Sequence, residues 1–585
     1  MTKIYNDPAD FSGEALSGFA SAFPRYVQQV PGGLVRAGPL SPGRVAVVVG
    51  GGTGHYPAFA GWVGPGMADG AVVGDVFASP SAQQIVSVAL AADAGGGIFL
   101  SYGNYAGDVL NFNAARDQLI AAGVPTRSVV VTDDLASAPP EDRPLRRGTA
   151  GDLIVVKVAA AAADAGYDLD GVAAVADRVN KRTSSLSVAF SGCTPPGSAA
   201  PLFTLAPGQM AVGLGLHGEP GISEGPLLSA ADLAELLVSR VLVERPESAT
   251  QAAVLVNGLG ATRYEELFLL WHEVAPRLEA AGVEVVDPEV GELVTSLDMG
   301  GVSLTVAWLD DELEELWLAP ADTPSFTRGA VHQDAGDEVQ VGEDISSSVD
   351  VHGRGDDSAA LVEGDEASRV AAAAVVKALE AAHAAVAAAE DELGRLDAVA
   401  GDGDHGRGMV RGLSHACAAG VAAAERGWGC RGVLEHAADA WAEFAGGTSG
   451  VLWGAGLRAL GRQLGNEGSP DPQQVASGVE AMRSAIVSLG HAAPGDKTLV
   501  DALDPFARVL RERVEAGSTL ERAWRDAVEA ASDAAQATAA LVPRKGRARP
   551  LAERSVGTPD PGAVSFVICA RSAAEALGAM ERAGS

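Results

Sequence analysis

Two histidines in glycine-rich settings and three closely spaced aspartates are the positions of this chain best suited to chemistry. His55 lies in the stretch Val47–Trp62, VVVGGGTGHYPAFAGW, where a β-branched run drives into Gly50, Gly51, Gly52 and Gly54. Missing Cβ atoms let a ligand approach the backbone and leave N–H groups free to donate. No lysine follows in the GK[ST] sense, so this is not the usual phosphate loop, and GxGxxG spacing is absent too. His217 sits in GLGLHGEPG with Glu219 two residues on, and Asp108 in GNYAGDVLNF just past GGIFLSYG. A neutral imidazole can act as nucleophile or base near pH 7, and a carboxylate can take a proton. Plainer readings exist for each: a turn histidine, or an Asx-type helix cap for Asp108. LDAVAGDGDHGRG places Asp397, Asp402 and Asp404 among glycines. Carboxylates so close repel one another without a cation, and hard oxygen donors suit Mg²⁺ or Ca²⁺. The pattern is not that of an EF-hand. Gly446, Gly447, Thr448 and Ser449 in FAGGTSGVLWGAG offer N–H groups and hydroxyls for phosphate oxygens at a helix start, or equally a glycine pair for helix packing.

Positioning these residues takes more than one core. At roughly 100–200 residues per domain, the 585 residues call for several. VAVVVG, GAVVGDVF, GGIFLSYG, SVVVTDDL, AAVLVNGLG and VSLTVAWL read as strands separated by Ala- and Leu-rich helical segments. That rhythm predicts an α/β domain with some parallel sheet over residues 1–326, with ligands at strand C-terminal ends. Residues 327–368 are acidic and rich in Gly and Ser and read as a linker. Residues 369–585 carry long Ala/Leu/Glu/Arg patterns and predict an all-α domain. The 42 basic against 76 acidic residues give a net charge of -34, which argues against nucleic-acid and membrane partners. Four scattered cysteines, no CxxC pair and no apolar leader point to a reducing cytoplasm. The stretch VAAAAVVKALEAAHAAVAAAEDEL carries Lys, Glu and His and reads as an amphipathic helix of a soluble domain.

GGGTGHYPAFAGWVG, GDVFASPSA, NYAGDVLNF, VVVTDDLA, RRGTAGD, GLGLHGEPGI, VNGLGAT and TSLDMGGVS, in that order, resemble the substrate domain of dihydroxyacetone kinases across nearly all of residues 1–330. The resemblance implies that His217 forms a covalent hemiaminal with a ketone, with His55 and Asp108 as its catalytic partners and Gly52, Thr53 and Gly54 as a substrate-contacting loop. Residues 370–575 resemble the nucleotide-binding domain of the same family, a helical barrel with nucleotide at its open end. There Asp397, Asp402 and Asp404 would hold two Mg²⁺ ions. Nucleotide contacts would fall on His405, Gly406, Arg407, Gly408, Thr448, Ser449, Gly490, Leu499, Arg547, Asp560, Pro561 and Gly562. Magnesium, not a basic patch, would then neutralise the phosphates of ATP. The resemblance is to the ATP-dependent branch, and it makes a homodimer the expected assembly. Other activities on this scaffold are FAD splitting to a cyclic flavin phosphate, which needs the second domain but not His217, and ligand sensing without turnover.

Departures from the family pattern cluster around the ketose pocket. GHYPAFAG puts Tyr56 and Phe59 where the family usually has an acid and a second histidine, and Gly103 stands where a substrate-contacting lysine usually precedes NYxGD. Losing that side chain opens room, which favours an erythrulose-type tetrulose over dihydroxyacetone, unless Tyr56 or Phe59 refills the space.

Overall fold

A computed structural model describes residues 4–329, 363–401, 403–545 and 552–584. The chain forms two compact units, Met1–Asp337 and Glu338–Ser585. In the first unit, strands β1 (Val27–Val30), β2 (Gly33–Arg36), β3 (Ala46–Thr53), β4 (Gly70–Val76), β5 (Ile98–Gly103) and β6 (Thr126–Val131) build one sheet in the order β1-β2-β4-β3-β5-β6. The four strands β4, β3, β5 and β6 run parallel, while β1 and β2 form an antiparallel margin. Val47, Val48 and Val49 are buried on both faces of β3, as expected of a strand covered by helices on each side.

A second, mixed sheet contains β7 (Thr183–Ala189), β8 (Gln209–Val212), β9 (Ser223–Pro226), β10 (Gln251–Gly258), β11 (Glu284–Val285), β12 (Glu289–Gly291) and β13 (Gly301–Trp308). Its order is β11-β10-β13-β7-β8-β9, with β12 also on β10. The helix Gly151–Asp164 is buried from Gly151 to Ala163, and its alanines and valines join one core with residues of both sheets. Small side chains let the layers approach closely, and each fully buried valine is worth about 1.5–3 kcal/mol. The six strands read from the sequence are all present; β7 was not read as one, because four of the seven residues of TSSLSVA are serine or threonine.

The linker read over 327–368 falls mostly on residues outside those described. At its edges Thr327–Arg328 pairs with Ala321–Asp322, and the Asp365 side chain caps the helix Glu366–Ala388 by accepting from Ser368 N–H. Among the described residues of the second unit, eight long helices close into a ring. In order they are Glu366–Ala388, His405–Glu425, Cys430–Ala445, Gly447–Leu464, Pro472–Gly490, Val500–Glu515, Leu520–Ala537 and Pro561–Gly584, and the last packs back on the first. They surround an apolar cavity of about 380 Å³ walled by Trp441, Trp453, Phe506 and Trp524 among others. The helix Glu366–Ala388 is long and apolar enough by composition to cross a membrane, yet it buries Ala372, Leu379, Ala382 and Val386 as a stave of this barrel. The fold class expected from the sequence, α/β followed by a helical barrel, is the one observed.

Candidate active site

Strand β3 delivers Gly52, Thr53, Gly54 and His55 to the edge of the parallel sheet. A Cβ on Gly52 would lie 2.7 Å from Ala78 N, and Gly54 has φ +112 with its Cβ position 2.7 Å from the Phe77 ring. Both positions therefore require glycine. Thr53 donates its hydroxyl to Gly74 O at 2.6 Å, which ties the loop to β4. The segment before β13 then laces the loop in place: Leu297 N–H donates to Gly54 O at 2.8 Å and Thr295 Oγ1 to Tyr56 O at 2.8 Å. His55 is 5% exposed as a result.

His217 comes from the turn after β8, and the two imidazoles meet: His55 Nε2 lies 3.1 Å from His217 Nε2. Thr295 O, 2.8 Å from His55 Nδ1, can only accept, so that nitrogen carries hydrogen. At the other end His217 Nδ1 faces Glu219 Oε1 at 3.3 Å, while His217 backbone N–H donates to Glu219 Oε2 at 3.0 Å. Burial alone would raise the Glu219 carboxyl, but His217 and then Arg147 hold it below its ordinary value. Arg147 is anchored by Asp134, with Nε donating to Oδ2 at 2.8 Å. His55 is pushed down to about 3 by burial first and by His217 second.

The proton count along this chain has a chemical consequence. Hydrogens on both Nδ1 atoms leave two Nε2 atoms face to face. One further proton bridges them and gives the pair a positive charge opposite Glu219; without it, His217 Nε2 offers a lone pair to an electrophile. The other rings packed on His217 are Phe77, at 5.0 Å, and Tyr105, at 4.8 Å between centroids. Phe77 holds φ +54, a costly conformation for a bulky residue that the site retains. Tyr105 precedes the helix Ala106–Ala121, whose first turn carries Asp108. Tyr56 and Phe59 point elsewhere. Tyr56 is 49% exposed and packs edge-on to Phe19, and the Phe59 ring packs on Trp62 and fills the space beneath Gly51. Neither ring packs on His217; the ring beside Gly103 is that of Tyr105, 3.2 Å from where a Cβ would sit. Reading the sequence did not give roles to Phe77, Tyr105, Thr295, Glu219 and Arg147. Arg147 and Asp134 nonetheless lie inside the quoted runs RRGTAGD and VVVTDDLA, and their task is to hold the His217 turn.

In the second unit the candidate nucleotide residues that are described lie at helix ends on one side of the barrel. Asp397 closes the helix Glu390–Asp397; its Oδ2 accepts from Gly403 N–H at 2.9 Å and from His405 N–H at 3.4 Å. Asp404 stands at the start of the helix His405–Glu425. His405 Nε2 lies 2.9 Å from Ser565 Oγ, which joins this turn to the start of Pro561–Gly584. Gly408 lacks the Cβ that would sit 3.3 Å from Ala445 O, beside Gly446 and Gly447, whose φ values are +66 and +56. Thr448 and Ser449 fall in the first turn that follows, where unpaired N–H groups favour phosphate. Gly490 approaches Leu452 one turn further on, and Gly562 approaches Leu499. Asp560 accepts from Ala563 N–H at 2.7 Å and is pushed up to about 7 by burial, with Asp501 and Asp397 adding repulsion. A site that crowds carboxyls this way fits a hard cation, and oxygen donors fit magnesium. Asp402 and Arg547 lie outside the described residues, and among those described no group of three His, Cys, Asp or Glu side chains is arranged to hold a metal.

Comparisons with known proteins agree with both halves. The Dak1 domain model matches residues 17–325 and the DAK2 domain model residues 399–575. The chain belongs to the dihydroxyacetone kinase family. A D-erythrulose kinase of Mycolicibacterium smegmatis is 54% identical over 578 residues, 99% of each chain. An L-erythrulose kinase of Pectobacterium atrosepticum is 52% identical over 97% of this chain and 95% of its own. Among solved structures, the dihydroxyacetone kinase from C. freundii in complex with AMP-PNP and Mg²⁺ matches with TM-score 0.52 and 27% identity, covering 98% of this chain and 99% of that one. As a member of the dihydroxyacetone kinase family with both domains in one chain, the protein is a phosphotransferase that uses an alcohol acceptor.

Proposed function

We propose that this kinase transfers the terminal phosphoryl group of ATP to a terminal hydroxyl of a short ketose, an erythrulose-type tetrulose before dihydroxyacetone, while the ketose is held on His217 as a hemiaminal. The observation that carries this reading is the Thr295–His55–His217–Glu219 chain, with its two Nε2 atoms 3.1 Å apart. His217 Nε2 attacks the carbonyl carbon, the C=O π pair moves to oxygen, and that oxygen takes a proton from solvent, relayed by the lone pair of His55 Nε2. Glu219 stabilises the charge that remains on the His217 ring. A polyol has no carbonyl, so it cannot be captured this way. The tether fixes a small hydrophilic molecule that offers little area to bind. Asp108 accepts the proton of the attacking terminal hydroxyl.

Asp397, Asp402 and Asp404 would hold magnesium, which neutralises phosphate charge when bound. His405 to Gly408, Thr448, Ser449, Gly490, Leu499, Arg547 and Asp560 to Gly562 would bind the nucleotide. The preference for a tetrulose draws support from the two erythrulose kinases at 52–54% identity and from Gly103. All four cysteines are free and buried, which suits a reducing cytoplasm. The test is ADP release with D-erythrulose, L-erythrulose, dihydroxyacetone and glycerol, with product position read by NMR. Ketose-dependent release that vanishes in His217→Ala is expected. Release independent of ketose, or equal with glycerol, sinks the reading.

A further inference from the structure

Lys497 is a buried base of the second unit that the mechanism above does not use. It is 5% exposed and holds φ +62, a left-handed conformation that a long side chain rarely adopts. Lysine is almost never buried unless its amine is met by partners. Here, among the described residues, main-chain carbonyls meet it: Nζ donates to Ser555 O at 2.6 Å and to Leu541 O at 3.3 Å. Both carbonyls stand at helix ends. Ser555 closes the short helix Ala552–Ser555, and Leu541 follows the turn Thr538–Ala540 that ends Leu520–Ala537. A cation suits such carbonyl ends, since each carries the negative pole of its helix. One amine thus fastens its own loop to two segments that lie 44 and 58 residues along the chain.

Each of the three places leads to a candidate nucleotide contact. Lys497 comes two residues before Leu499, and the turn is tied by Asp501, which accepts from Thr498 N–H at 2.7 Å and from Gly495 N–H. Ser555 O also receives Thr558 N–H at 3.1 Å, which begins the turn into Asp560. Thr538 O accepts from Leu541 N–H at 3.0 Å, while the Thr538 hydroxyl receives Asp560 N–H at 2.8 Å. Asp560 then caps Pro561–Gly584 through Ala563 N–H, and a Cβ on Gly562 would sit 3.4 Å from Leu499 Cβ. The Leu499 turn and the Asp560–Gly562 turn therefore touch, and both lead back to the same amine. We propose that Lys497 is a positioning residue for the nucleotide: it fixes the Leu499 turn against the Asp560–Gly562 turn, so that both engage one bound nucleotide. It acts through those turns and not by contact with phosphate or base. Its left-handed backbone persists because the three anchors over-determine it.

This inference rests on the nucleotide-site reading, and the experiment separates the two. Affinity for AMP-PNP with magnesium is measured by calorimetry on the full chain, well below the melting temperature, in wild type, Lys497→Met and Lys497→Gln. Folding is checked by circular dichroism, and the ketose KM is measured alongside. If wild type binds no AMP-PNP, the nucleotide-site reading fails and this one with it. If wild type binds, a folded Lys497→Met is expected to bind about tenfold more weakly, the size of one charged hydrogen bond lost, with the ketose KM within about threefold of wild type. Lys497→Gln, which keeps an N–H donor without the charge, is expected to fall between the two. A folded Lys497→Met that melts earlier yet binds AMP-PNP as wild type does overturns the assignment while leaving the kinase intact, because the lysine then serves the fold alone. An equal rise in the ketose KM overturns it as well, since the defect is then not confined to the nucleotide. Should Lys497→Met not fold, Lys497→Gln decides by the same comparison.

Discussion

Replacing Glu219 by Gln keeps the size of the side chain and removes its charge. The carboxylate stands 3.3 Å from His217 Nδ1 and receives the His217 backbone N–H at 3.0 Å. When the ring carries a proton or a carbon substituent on Nε2, it is a cation. Coulomb attraction at 3.3 Å with an effective dielectric of about 20 is then worth about 5 kcal/mol. Part of it survives in the variant, because the amide oxygen still accepts from Nδ1 and nearby dipoles relax. About 3 kcal/mol lost from the transition state is a fall in kcat/KM on the order of a hundredfold. A second effect adds to it: an amide that turns its NH₂ towards Nδ1 selects the tautomer with hydrogen on Nε2, which has no lone pair to attack. Arg147 remains paired with Asp134, so the turn itself should hold. The assay is ketose-dependent ADP release, together with the ¹³C signal of a ketose labelled at its carbonyl carbon. Wild type should convert that signal from a carbonyl to a tetrahedral carbon on binding, and Glu219→Gln should leave most of it as carbonyl. A folded variant within threefold of wild type, with its adduct intact, refutes the proton count on which the mechanism is built.

Gly54→Ala places a methyl group 2.7 Å from the Phe77 ring at φ +112, so a loss of about 1–3 kcal/mol in stability and at least tenfold in turnover is expected from urea melts and rate assays. His55 stays neutral when folded down to about pH 3, whereas the unfolded ring binds a proton near its ordinary 6.5. Its contribution is complete above pH 6.5 and drains away as the pH falls towards 3, by up to about 1.4 kcal/mol per pH unit. His55→Asn should therefore lose less stability between pH 7 and 4.5 than wild type does, and equal losses count against it. Lys157, wholly buried with Nζ on Leu316 O, is pushed down to about 7 by burial and then by Arg328. The unfolded chain keeps that proton up to 10.5, so stability should rise from pH 7 to 10.5 in wild type and stay flat in Lys157→Met. Asp397→Asn removes charge from the carboxylate that accepts from Gly403 and His405; a magnesium titration should show a raised requirement and kcat lowered by about a hundredfold.

Strands whose side chains are apolar on both faces were legible, because burial on both faces leaves an unbroken Val, Ile and Leu run. β7 was not. Its serines face polar partners inside the core: Ser185 reaches Asp133 and Thr305, and Ser187 donates to Leu214 O at 2.7 Å. A central strand satisfied by side-chain hydrogen bonds looks like a loop in one dimension. The two histidines were legible as separate positions, since glycine loops advertise close approach. Their meeting was not legible, because 162 residues separate them and the segment that clamps His55, Thr295 to Leu297, comes from a third place in the chain. Residues that shape a site by packing, such as Phe77 and Tyr105, have no composition signal at all.

The placement of charge explains how so acidic a chain can handle phosphate. With a net charge of -34, the bulk surface repels ATP, so attraction must be local. At one end of the barrel, helix starts at His405, Gly447 and Pro561 offer N–H groups, and Asp560 lies among carboxyls whose repulsion a cation would relieve. In the ketose pocket the requirement is reversed, because the acceptor is neutral and the chemistry needs a controlled proton. There the carboxylates Asp133, Asp134 and Glu219 are each engaged by donors: Asp133 by backbone and hydroxyl groups, Asp134 by Arg147 and Ala136 N–H, Glu219 by His217 and Arg147. Identical carboxyls thus acquire different settings through their partners alone: neutral donors around Asp133, the Arg147 guanidinium beside Asp134 and Glu219.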